Sequence, residues 1–153
     1  EAVKIPWGIL ILFGGGLSIA NGFQTTQIDL WIGDQLSSIT ITNALVVLLL
    51  VISSVNFITE MSSNMATTAM LLPIMIPLSE VIGVHPYILL ASTTLAASCA
   101  FMLPVATPPN AVVFGSKLLT IRDMVKAGFL INVISIIIIL IVVNYGLPLF
   151  WNL

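Results

Sequence analysis

A polar island, Thr59–Thr68 (Thr-Glu-Met-Ser-Ser-Asn-Met-Ala-Thr-Thr), lies between two apolar runs, Ala44–Ile58 and Ala69–Leu78. Each run is shorter than the ~20 residues that a helical membrane crossing takes. Joined across the island, they predict a hairpin of two half-helices that enters a membrane and turns back. A second interruption, Ala106–Asn110 (Ala-Thr-Pro-Pro-Asn), divides another apolar stretch. Lipid cannot satisfy the polar groups of non-helical backbone, so each break must be buried in protein or line a watery cavity. Two such breaks in one short chain point to a binding site near mid-membrane.

Composition agrees with a membrane setting. Of 153 residues, 59% are hydrophobic, and only four basic and six acidic residues are present. The mean hydropathy is +1.19, whereas about a quarter of a soluble domain is charged. The apolar runs are continuous and lack the alternation of a barrel strand, so the predicted fold class is all-α, a polytopic membrane protein. No basic patch suggests nucleic acid. The single cysteine, Cys99, sits in an apolar run and reads as a small buried residue. No nucleophile–base pair or metal cluster of catalytic spacing appears, which argues against an enzyme. The chain begins at Glu1 without methionine or a cleavable signal pattern. We therefore expect one structural repeat of a longer protein, with an N-terminal partner repeat upstream.

In chain order, Lys4, Pro6 and Trp7 open a first helix expected to run to about Ala20, with Gly14–Gly16 allowing close approach of another helix. From Gly22 to Ile41, apolar residues at helical spacing (Ile28, Trp31, Ile32, Leu36, Ile39) predict a helix lying in the membrane surface. A soluble loop with one helical turn is the alternative. Residues 1–41 would form a scaffold helix plus arm, and 42–153 half of a moving domain. That half would comprise a hairpin at 43–82, a broken helix at 86–118 and a last helix at 124–150. Within the hairpin, the second half is expected from about Ala66 to Val81, bent by Pro73 and Pro77. Tyr87–Val105 and Asn110 to about Leu118 are the expected halves of the broken helix. His85 beside Pro86 reads as a helix cap rather than a proton relay.

The charges favour the re-entrant reading. With a hairpin returning to its own side, Lys4, Lys117, Arg122 and Lys126 all share one face, and Asp29, Asp34, Glu80 and His85 the other. The basic face is then cytoplasmic, the hairpin enters from outside and the C-terminus is outside. A full crossing by residues 43–81 would divide the basic residues between the faces.

Helix ends carry unpaired backbone groups and about half an elementary charge each. Carbonyls near Ile58–Met61 suit a sodium ion, and N–H groups after Ser63–Asn64 suit an anion. At the second break Leu103–Ala106 offers carbonyls, Thr107 is an N-cap type and Pro108 fits the first helical position. No arginine or lysine lies at either tip, so anion binding would depend on the cation. Plain kinks whose polar side chains satisfy backbone are the competing reading of both breaks. Glu60, at membrane depth, could balance sodium, take up a proton or bond backbone. Asn56, Asn110 and Asn132 are expected to link helices inside the protein.

The segment from Ser98 to Val113, with Phe101, Pro104, Ala106 and Asn110, closely resembles the sodium:sulfate/carboxylate pattern of the divalent anion:sodium symporter family (DASS, or INDY). Ser63–Asn64 followed by Ala66–Thr68 resembles its Ser-Asn-Thr tip motif. Trp7–Gly8 through Phe13–Gly16 looks like the family helix that leads into a horizontal arm. The resemblance spans nearly the whole chain and corresponds to most of a C-terminal repeat. It implies a homodimeric elevator-type carrier in the bacterial inner membrane, one inverted-repeat half with a re-entrant hairpin and a discontinuous helix. It further implies sodium as the co-transported ion and C4-dicarboxylates such as succinate as substrates. Sulfate, other divalent anions and sodium-independent dicarboxylate exchange are the alternatives within the class, and a non-transporting membrane subunit the alternative outside it. By resemblance, Ser63, Asn64, Thr107 and Pro108 would contact substrate. Thr59, Ser62, Asn64 and Ala106 would hold sodium, mostly through backbone carbonyls. Met65 departs from the motif, where threonine would supply a hydroxyl, and is left out of the site.

Overall fold

The structure, a computed structural model, describes residues 43–151 and, upstream, only Ile11, Gly14, Gly15, Ser18, Asn21, Gly22, Thr25, Thr26, Gln27 and Trp31. The course of the first helix, the surface helix expected over 22–41 and the anchors Lys4 and Trp7 lie outside the described residues.

Every regular element among the described residues is helical. Helix α1, Ala44–Thr59, starts where the Asn43 side chain accepts from the Leu45 N–H at 3.0 Å, the usual chemistry of an N-cap. Its 16 residues span about 24 Å at ~1.5 Å per residue, short of a ~30 Å hydrocarbon core. Helix α2, Asn64–Ile82, begins two residues before the expected Ala66 and carries Pro73 and Pro77 inside it without ending. It stops at Gly83, whose φ of 68° is left-handed and tolerated by glycine. The Val84 N–H then returns to the Ser79 carbonyl at 3.1 Å. Helix α3, Pro86–Ser98, has His85 as its N-cap, the ring accepting from the Tyr87 N–H as the cap reading expects.

Helix α3 does not reach Val105. It ends at Ser98, and the nine residues Cys99–Thr107 are non-helical. Helix α4, Pro108–Gly115, resumes after the N-cap Thr107, with Pro108 in its first turn as anticipated. Helix α5, Ile121–Ile141, opens on a capping box in which Thr120 and Asp123 each bond the other's backbone. Its path continues through a π-helical turn, Val142–Gly146, into α6, Leu147–Trp151.

Helix α3 is central and packs against α1, α2 and α5. Leu48 and Met75 share one buried cluster with Leu89. Leu48 lies eleven residues before the end of α1 (59 − 48), and Met75 eleven after the start of α2 (75 − 64). The chain therefore turns back on itself at Glu60–Ser63 as a helical hairpin. A second cluster joins Ile52 and Val55 of α1 to Ala96 and Ala97 of α3 and to Ile136, Ile139 and Val143. Small residues at Ala96 and Ala97 let these helices approach closely.

The outer surface is apolar. Leu50, Met70, Val112, Leu130, Ile137, Ile138 and Leu149 are all more than half exposed or close to it. Exposed apolar area on this scale marks contact with lipid or with other protein. Among the described residues, two stretches, Asn64–Ile82 and Ile121–Phe150, are long and apolar enough to cross a membrane.

Candidate functional site

The hairpin tip and the second break meet. A cavity of about 450 Å³ is lined by Ser62, Ser63 and Asn64 from the tip and by Ala106, Thr107 and Pro108 from the break. Met61, Met65 and Val105 complete its wall. The N-terminal ends of α2 and α4 thus open on one space. Ser63 is the N-cap of α2 but makes no side-chain cap bond, which leaves its hydroxyl for another partner. Thr107 accepts from the Asn110 N–H at 3.4 Å, and its own hydroxyl hydrogen stays available to donate. None of the lining residues carries positive charge. A smaller cavity of about 340 Å³ shares Asn64 and Met65 with the first and extends to Thr68 and Ser98.

Thr59 does not line the cavity but touches it through Asn64. Its Oγ1 is fully buried, 2.7 Å from Asn64 Oδ1 and 2.8 Å from the Ala97 carbonyl oxygen. A hydroxyl has one hydrogen and cannot donate to both acceptors. The trio therefore holds one more oxygen than it has protons for, a condition that a monovalent cation or a turned Asn64 amide satisfies. Ser62 Oγ lies 3.2 Å from the Ile58 carbonyl and also bonds the Thr67 hydroxyl.

The expected free carbonyls are fewer than the sequence suggested. The Ile58 oxygen accepts from the Met61 N–H at 3.1 Å, and the Thr59 oxygen from the Ser62 N–H at 3.4 Å, because the chain tightens into turns at the tip. At the break, the Leu103 oxygen accepts from the Ala106 N–H and from the Asn110 side chain. Among the described residues, the Ala106 carbonyl oxygen accepts no such bond.

Glu60 is 3% exposed and bonds backbone, one of the three roles open to it from sequence. Its Oε1 accepts from the Phe101 N–H at 2.7 Å and the Met102 N–H at 3.0 Å. Oε2 accepts from the Met102 N–H at 3.1 Å and the Leu103 N–H at 3.0 Å. Asn132 of α5 adds a bond to Oε1 at 2.7 Å. These bonds give the early end of α3 a physical reason. Three consecutive N–H groups that would have continued the helix turn instead to one carboxylate, a stronger acceptor than a carbonyl.

Asn56 and Asn132 are buried and link separate elements as expected, whereas Asn110, half-buried, ties its own helix to the break before it. Asn56 donates to the Cys99 carbonyl at 2.6 Å, and Asn110 donates to the Ala100 and Leu103 carbonyls at 3.0 Å each. Gly128 was not singled out from sequence. A Cβ there would lie 2.3 Å from the Phe101 oxygen and 2.6 Å from the Met102 Cα, so α5 presses directly on the break. Its spacing of four from Asn132, which puts both on one helix face, was the only available signal.

Comparison with known proteins agrees with this architecture. Residues 2–152 match the model of the sodium:sulfate symporter transmembrane region. Among curated relatives, the sodium-dependent dicarboxylate transporter SdcS of Staphylococcus aureus strain USA300 is 47% identical over 148 residues, 97% of this chain. The same identity and coverage hold for SdcS of strains NCTC 8325 and COL. The chain spans 28% of the length of these relatives. Two helix starts and two non-helical turns closing on one cavity, together with a family match along nearly the entire chain, lead to one conclusion: this chain belongs to the sodium:sulfate symporter family.

Proposed function

We propose that the chain is the C-terminal repeat of a sodium-coupled carrier of C4-dicarboxylates such as succinate. One observation carries the reading: the starts of α2 and α4 face a single cavity whose wall holds hydroxyls and an amide but no cationic side chain. Helix N-termini favour anions through their N–H groups and partial positive charge. Ser63, Asn64 and Thr107 bring hydrogen-bonding groups to a carboxylate, and Pro108 leaves the first turn of α4 without a competing N–H. Partial charges alone are a weak counterweight to a dianion, so a bound cation is required to complete it.

Thr59, Ser62, Asn64 and the Ala106 carbonyl supply that cation's oxygens. The surplus acceptor around Thr59 Oγ1 supports the assignment, because hard oxygen ligands without protons between them suit sodium. Sodium then orders the tip and raises affinity for the dianion, and the dianion raises affinity for sodium by the same factor. That the relatives are sodium-dependent dicarboxylate transporters supports this choice over sulfate transport. In the full carrier the hairpin and broken helix move together against a scaffold, in an elevator manner, within a homodimer in the cell inner membrane. The first sodium site belongs to the other repeat.

The test is uptake of labelled succinate by the reconstituted full-length carrier, in sodium and in choline, with sulfate and citrate as competitors. Sodium-dependent uptake that succinate saturates and sulfate does not inhibit is expected. Asn64→Ala should abolish it while the protein remains monodisperse. Equal uptake in choline would replace the symport reading with exchange, and full activity in Asn64→Ala would remove the cavity from the mechanism.

A further inference from the structure

We propose that Glu60 is a positioning residue, which staples the break segment Phe101–Leu103 to the hairpin tip and so keeps the two walls of the cavity in register. Non-helical backbone away from water must have its N–H groups satisfied. Here one buried carboxylate takes three consecutive N–H groups, at 2.7 to 3.1 Å. At the same segment, Gly128 lets α5 come within contact of Phe101 and Met102, where no Cβ would fit. Asn132, four residues on, fixes the carboxylate itself at 2.7 Å. The segment is thus held by both the tip and α5.

Chain connectivity gives the clamp its reach. Thr59 and Glu60 are neighbours, yet one contacts Asn64 and the other contacts Phe101–Leu103. Only Pro104 and Val105 separate Leu103 from Ala106, and the Ala106 N–H returns to the Leu103 carbonyl at 3.2 Å. Displacement of Leu103 is therefore transmitted to Ala106 and Thr107, which form the cavity wall opposite Ser63 and Asn64. The carboxylate is needed for its shape as well as its charge. Glutamine offers one oxygen where four N–H contacts require two, and turns an NH₂ towards donors. Helix α5 belongs to the same rigid unit as both tips, since Asn132 and Gly128 complete the clamp.

The transport readout rests on the sodium-coupled reading, but the clamp has a readout that does not. In the full-length carrier, hydrogen exchange of the peptide containing residues 101–103 is compared for wild type, Glu60→Gln, Glu60→Asp and Gly128→Ala. Glu60→Gln and Gly128→Ala should speed that exchange about tenfold, equivalent to about 1.4 kcal/mol. Both should raise the half-saturating sodium concentration by a similar factor, with a smaller effect on maximal rate. Glu60→Asp, which keeps the charge on a shorter stem, should lie between. Thr120→Ala, which weakens a distant helix cap, should move neither readout. Monodisperse Glu60→Gln with wild-type exchange at 101–103, or with faster exchange but unchanged sodium half-saturation, would overturn the assignment. Should Glu60→Gln aggregate, Gly128→Ala and Glu60→Asp decide by the same two measurements. Sodium-independent uptake in wild type would sink the functional reading alone, and the exchange comparison would still judge the clamp.

Discussion

Replacing Thr59 with valine removes one hydroxyl and keeps nearly the same volume, so it isolates what Oγ1 does. In the structure that oxygen is fully buried, 2.7 Å from Asn64 Oδ1 and 2.8 Å from the Ala97 oxygen. Its loss leaves at least one buried acceptor without its donor, which costs about 1–3 kcal/mol of stability without sodium. If Oγ1 is also a sodium ligand, affinity should fall about tenfold, or about 1.4 kcal/mol. The two effects separate in a thermal melt. At sodium near 100 times the wild-type dissociation constant, binding stabilises wild type by about 2.7 kcal/mol. The valine variant, then at ten times its own constant, gains only about 1.4 kcal/mol. The assay is thermal stability of the purified full-length carrier, in detergent, across a sodium titration with potassium as control. The variant should melt lower at zero sodium and gain less from sodium, and Thr59→Ser should recover most of both. A valine variant with the full wild-type sodium gain would refute the assignment of Thr59 to the cation and leave it a purely structural hydroxyl.

Two further changes probe the frame around the site. Asn110→Ala removes the amide that holds the Ala100 and Leu103 carbonyls, and should cost about 1–3 kcal/mol in a thermal melt. Succinate affinity should weaken with it, because the segment leading to Ala106 loses an anchor. A variant that melts like wild type would contradict the role assigned to Asn110. Thr120→Ala breaks the capping box of α5 and should cost about 1 kcal/mol, with the half-saturating concentrations of sodium and succinate unmoved. A shift in either concentration would mean that the N-terminus of α5 communicates with the cavity.

Much of this molecule was legible before any coordinates. The polar islands at Thr59–Thr68 and Ala106–Asn110 are interruptions of apolar sequence, and interruption is a local property that periodicity and turn chemistry reveal. The caps at Thr107 and His85 follow from side-chain types beside helix starts. The early end of α3 at Ser98 did not follow, since Ser98–Val105 looks like helix in isolation. What ends it is Glu60, some forty residues earlier, whose carboxylate takes the N–H groups of residues 101–103. The tip carbonyls expected to be open were partly consumed by turns, because a tight reversal supplies its own donors.

By itself the amino-acid order determined that the chain is helical and apolar, that its helices are interrupted at two polar stretches, and which polar residues stand there. Those are consequences of neighbours along the chain. Only the tertiary structure decided that Asn64 and Thr107 share a cavity, that Thr59 Oγ1 lies within hydrogen-bond reach of both Asn64 and the Ala97 carbonyl, and that Glu60 and Gly128 both meet the segment Phe101–Met102. The reason is physical: a hydrogen bond or a close contact between distant segments depends on how helices pack, and no pattern of spacing within either segment encodes the other's position.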